Sequence, residues 1–248
     1  MMKVWSDPLR RRWIIWGALA TGFLLVNVHR LSTAVLSEGL MRLFDITGVE
    51  LGTLHSAFFY VYAPMQIVAG VVADRWRIRW TASIGLFVMS VAAIAFALAN
   101  AYVVALTARI AIGLGGSIVF IATLRFCANW YRPGEYGTMN GRAVAIAGVG
   151  SVASTTPLAV AVTTLGIQST LRLLGGLGFL VVGRVWSLAR DTPQKAGLSG
   201  IENVGGSPVK ESAPRFRAGR MSIRALYHNQ RTPRSSMVRR LSASSHRL

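Results

Sequence analysis

The stretch GVVADRWRIRW, Gly70–Trp80, sets one acid and three arginines between two long apolar runs. Charge gathered so tightly between hydrophobic stretches reads as a short connector at a membrane surface, because arginine is costly inside hydrocarbon. Composition agrees: the 248 residues are 52% hydrophobic and only 15% charged, with a mean hydropathy of +0.46. A net charge of +18 would by itself suggest a nucleic-acid partner. Its location argues otherwise. The basic residues sit in connectors between apolar runs and in a polar tail after Gly200, so no nucleic acid is expected. Cys127 is the single cysteine and cannot form an intrachain disulfide. No metal-ligand spacing is present, and no cofactor is expected.

Six apolar runs flank the connectors: 13–36, 51–72, 81–99, 102–127, 139–165 and 171–188. Each holds about 18–27 residues, enough to cross a hydrocarbon core about 30 Å thick at about 1.5 Å per residue. Helices are the expected form, since every backbone polar group must be satisfied inside lipid. The first run is longer than a signal-peptide core and lacks a small-residue cleavage site, so it reads as an uncleaved anchor. The basic connectors carrying Lys3, Arg10, Arg11 and Arg12, then Arg75, Arg77 and Arg79, then Arg132, then Arg190 and Lys195, all fall on one side. The outer connector carries Glu38, Arg42, Asp45 and Glu50. The positive-inside rule therefore places both termini in the cytoplasm and the protein in the cell membrane as a multi-pass chain. All seven tryptophans map to the inner side.

In the turn between the second and third spans, Gly70, Asp74, Arg75, Arg77 and Arg79 resemble the Gly-x-x-x-Asp-Arg signature of the major facilitator superfamily. Trp76 stands where that signature has a glycine. Arg109, Gly113 and Gly115 in ARIAIGLGG resemble the family's Arg-x-x-x-Gly-x-Gly pattern. Trp130, Tyr131, Glu135 and Gly137 resemble its next connector, with Tyr136 in place of an arginine. The resemblance covers Trp13 to about Leu198. It implies six transmembrane helices arranged as two three-helix inverted repeats, half of the full fold. It also implies that Gly70, Asp74, Arg75, Arg77 and Arg79 act as a gating latch, with Gly70 allowing close approach of a neighbouring helix.

Substrate chemistry is sought at the polar interruptions of the spans. Asn27, His29 and Arg30 lie inside the first span, where an unpaired charge tends to face a cavity. Arg30 lies about six residues, roughly 9 Å, past the midpoint of an outward-running span. Arg109 lies as far before the midpoint of an inward-running one, so the two share a depth. No carboxylate in the spans is placed to neutralise either. A transported anion would supply the missing charge, gripped by arginine's planar fork. VNVHR also resembles the first span of the superfamily's organic-anion symporters, where the arginine binds the substrate. His29 replaces the proton-carrying aspartate, and Gly116 stands where many such symporters have a glutamate. His29 is the remaining candidate for titration. Tyr60, Tyr62 and Gln66 are further candidate cavity liners. Alternative roles remain: Arg30 snorkelling to the outer interface, Arg109 capping backbone carbonyls, the tyrosines simply packing.

The chain reads as a cytoplasmic segment 1–12, a bundle with its exit segment 13–198, and a tail 199–248. From Gly205 on, ten lysines and arginines face one acid, Glu211. That composition predicts disorder and attraction to anionic lipid headgroups, and it also fits out-of-frame translation of a longer gene. The expected activity is secondary transport of a small organic anion, coupled to protons or sodium, by a half that pairs with a second six-helix half. The alternative is a membrane fragment that does not transport. An enzyme is not expected: no metal cluster, nucleophile–base pair or close carboxylate pair stands out.

Overall fold

The computed structural model describes residues 8–189, apart from the side chains of Pro8, Leu9, Val72 and Asp74. Two compact units divide the chain, Met1–Gly206 and Ser207–Leu248, and every described residue lies in the first. The exit segment from Arg190 and the tail 199–248 lie outside the described residues, as do residues 1–7.

Eight helices make up this part: α1 (Pro8–Val35), α2 (Ser37–Phe44), α3 (Gly48–Arg75), α4 (Ile78–Ala97), α5 (Tyr102–Trp130), α6 (Pro133–Ala153), α7 (Thr156–Leu165) and α8 (Ile167–Leu188). No strand occurs among the described residues. Five of them, α1, α3, α4, α5 and α8, are each long and apolar enough to cross a bilayer. The expected fifth span, 139–165, is not one straight helix. It begins earlier, at Pro133, and is broken into α6 and α7, which bend by 41° and count as a sixth span when taken together. Pro157, in the first turn of α7, has no N–H to give the Ala153 carbonyl, so the ladder stops and restarts there. The connector after α1 also holds a helix that hydropathy alone did not show. In α2, Leu40 is fully buried while Glu38 and Arg42 face outward.

α4 packs between α5 and α8; α5 also packs on α3; α1 packs on α6, α5 and α8. α4 and α5 cross closely at Gly115. A Cβ there would stand 2.5 Å from the Gly85 carbonyl oxygen and 2.7 Å from the Met89 nitrogen, so only glycine lets α4 and α5 meet backbone to backbone. Gly113 seats the Phe58 carbonyl of α3 in the same way, and Gly150 that of Leu24 on α1. Gly148 and Gly70 do not act so: nothing lies within 4 Å of the position their Cβ would take. The close approach expected at Gly70 is therefore not made among the described residues.

One end of the bundle is basic and aromatic. Arg12 on α1 pairs with Glu135 on α6 at 3.2 Å and lies 4.8 Å over the Tyr131 ring. Glu135 also accepts from the Arg132 backbone N–H, so one carboxylate caps α6 and holds α1. At the opposite end the Tyr102 hydroxyl donates to the Glu50 carbonyl, tying α5 to α3.

Candidate functional site

Arg109 is 0% exposed and enters the site from the second turn of α5. Its Nη1 donates to the His29 carbonyl at 2.7 Å. Its Nη2 donates to the Thr33 hydroxyl at 2.9 Å and to the Arg30 carbonyl at 3.3 Å. The faces of Phe58 and Phe96 flank the guanidinium at 5.4 and 5.9 Å from its carbon. A charge so deep in apolar surroundings needs strong acceptors, and a helix carbonyl offers a spare lone pair even after its own ladder bond. Arg109 thus fastens α5 to the C-terminal half of α1, and only its Nε lacks a partner.

Thr33 continues the network to a third helix, lying 2.8 Å from His55 Nδ1 on α3. His29 is buried with its Nε2 unpartnered. The buried Asn27 gives its amide to the Phe23 carbonyl at 2.9 Å.

Arg30 differs from Arg109. It is half-buried, its Nε makes no hydrogen bond, and neither arginine joins an ion pair among the described residues. Tyr62 of α3 lies near Arg30, with Gln66 one turn further along the same helix. Tyr62 stacks on Phe58 with ring centroids 5.2 Å apart, so one aromatic pair links the Arg109 clamp to the surroundings of Arg30. Tyr60 points away, 76% exposed on the outer face of α3. Arg30, Tyr62 and Gln66 therefore come together, while Asn27 and His29 are spent on packing α1. At Gly116 a Cβ would meet Val26 at 2.9 Å and Tyr62 at 3.7 Å, so neighbouring side chains occupy the space a longer residue would need.

In the α3–α4 turn Arg75 and Arg77 are exposed, and Arg79 lies 4.1 Å over the Trp186 ring of α8. Asp74 belongs to the last turn of α3, and its side chain lies outside the described residues. Sequence reading missed Thr33 and Phe58. The signal for Thr33 was its place one turn after His29 on the same helix face, and Phe58 carried none.

Membrane-length helices packed through glycine contacts, with one arginine buried between helices and another half-open beside it, define a polytopic helical membrane protein. The chain belongs to the Major Facilitator Superfamily, whose family model matches residues 18–240. Among similar proteins is an uncharacterized transporter, YybO, of Bacillus subtilis (strain 168), 27% identical over 180 residues, covering 72% of this chain and 41% of the relative. A probable sulfoacetate transporter of Cupriavidus necator is 23% identical, covering 77% and 44%. A D-galactonate transporter of Escherichia coli O6:H1 is 28% identical, covering 84% and 51%. The chain thus spans about half the length of the curated relatives it matches. A bacterial homolog of the human lysosomal transporter Spinster, in an inward-facing and unoccupied conformation, shares the fold at a TM-score of 0.70 and 19% identity, over 84% of this chain and 47% of that one. Family and fold are those of transporters, not enzymes.

Proposed function

We propose that the chain forms one six-helix half of a secondary active transporter that moves a small organic anion across the cell membrane by alternating access. The observation that carries the reading is Arg30: a half-buried guanidinium beside Tyr62 and Gln66, with no carboxylate partner among the described residues. A planar fork left open in a membrane bundle suits a carboxylate, sulfonate or phosphate. Two relatives named for sulfoacetate and D-galactonate, both organic anions, support it. The reciprocal packing supports two inverted repeats, one of α1, α3 and α4, the other of α5, α6–α7 and α8. The first helix of each docks on the second of the other, and the two first helices and two third helices also pair. A second half, from another chain or a second copy, would supply the opposite cavity wall, and the open space beside Gly70 suits it. Asp74 and Arg75 would then latch one access state. The coupling ion is a proton or sodium. The basic tail adds attraction to anionic lipid headgroups.

Reconstitution into liposomes with candidate carboxylates, sulfonates and phosphates, under imposed proton and sodium gradients, tests the reading. Paired with a second half, the chain should concentrate an anion and ignore its neutral amide analogue. Equal uptake of both would remove the anion site. Alone it should show no gradient-driven uptake, because a single bundle cannot alternate access about a shared site. The alternative, a fragment that does not transport, draws on the half-length match, and silence with every partner supplied would favour it.

Orientation has its own test. Impermeant thiol labelling from outside should reach a cysteine placed at Glu38 and miss one at Arg77. The reverse pattern would overturn cytoplasmic termini and the placing of the latch.

A further inference from the structure

The end of α3 and the start of α4 enclose a groove of about 480 Å³ lined by Arg75, Trp76, Arg77, Trp80 and Ile84. We infer that it binds the headgroup of an anionic phospholipid. The stretch from which it is built has three arginines against one acid, so the field across the groove favours an anion. The helix start adds to that field. The first turn of α4 carries no acid, and its N-cap residue, Arg77, offers no side-chain acceptor to the amides that follow, which leaves the positive end of the α4 dipole at the groove.

The other half of the lining is aromatic. Trp76 is 53% exposed and Trp80 48%, an unusual display of two indoles side by side. Trp76 lies between the end of one candidate span at Val71 and the start of the next at Ile78, and Trp80 stands in the first turn of that next span, the level where indole rings prefer to meet headgroups and glycerol backbones. Ile84 lies one helical turn deeper than Trp80, where an acyl chain would leave the headgroup. The Trp80 wall is braced: its ring stands edge-on to Trp186 at 4.6 Å, whose face carries Arg79 at 4.1 Å. A free phosphate would use the guanidinium groups and gain nothing from two indoles and an isoleucine. A phospholipid uses both. Trp76 occupies the position where the superfamily signature has a glycine, so this wall belongs to this chain and not to the shared motif.

The full chain in detergent, titrated separately with phosphatidylglycerol and phosphatidylcholine, tests the inference by native mass spectrometry. The wild type should retain phosphatidylglycerol preferentially. Arg75→Gln should weaken its tightest phosphatidylglycerol association about fivefold, the contribution expected of one basic residue at a membrane surface, and leave phosphatidylcholine unchanged. Trp76→Gly, which keeps every charge, should also weaken retention. Both side chains are exposed, so neither change threatens the fold, and helix content by circular dichroism verifies this. Unchanged retention by both variants would overturn the inference and assign lipid selectivity elsewhere, the tail included. Displacement of phosphatidylglycerol by an equal concentration of glycerol phosphate would overturn it in favour of a soluble phosphate. Neither result bears on anion transport through Arg30.

Discussion

Arg30→Ala is expected to abolish anion binding and uptake by the assembled transporter while the bundle stays folded. The side chain is half-buried and bonds no other side chain among the described residues, so removing it leaves no buried partner there unpaired. A charge-assisted hydrogen bond is worth about 1.5–3 kcal/mol, so losing a two-bond fork should weaken anion binding by about a hundredfold or more. Arg30→Lys should recover less than about a tenth of that loss, because an ammonium restores charge without the planar pair of donors. Arg109 gives the contrast. Arg109→Lys keeps a charge at the same depth but cannot hold two carbonyls and Thr33 together, so it should lower thermal stability by about 1–3 kcal/mol. Isothermal titration of the anion and thermal unfolding in detergent separate the two. Near-normal anion affinity in Arg30→Ala would remove the central site; a destabilised Arg30→Ala with normal affinity would make Arg30 structural.

Gly115→Leu is expected to prevent the bundle from assembling. Its Cβ alone would lie 2.5 Å from the Gly85 oxygen and 2.7 Å from the Met89 nitrogen, both backbone atoms of α4 that no rotamer change can move aside. Overpacking of a tight core costs about 1–3 kcal/mol even for modest additions, and four carbons against a backbone exceed that range. α4 would have to leave α5, and α8 rests on α4. Gly148→Leu is the control, since its Cβ position faces open space. Detergent-solubilised yield and the elution profile should collapse for Gly115→Leu and match wild type for Gly148→Leu. Equal behaviour of the two would show that the α4–α5 crossing does not depend on close approach.

The fate of these glycines separates what the sequence holds from what folding adds. Hydropathy and the placement of Gly70–Trp80 determined a helical membrane protein and its family, because lipid permits few backbone solutions and each leaves a long, uniform signal. The broken fifth span was marked by Pro157, but the apolar run continues through it, and hydropathy does not register a missing N–H. The equal depth of Arg30 and Arg109 was legible by counting residues from either end of their spans. Which of the two stays open was not. That difference depends on the rotation of α1 about its axis, which turns the carbonyls of His29 and Arg30 and the hydroxyl of Thr33 toward α5, and so occupies Arg109 while leaving the Arg30 side chain beside Tyr62. Gly150 seats the Leu24 carbonyl of α1 on α6, while Gly113 and Gly115 seat α5 on α3 and α4. Packing of that kind is a property of several helices at once, and no single span encodes it.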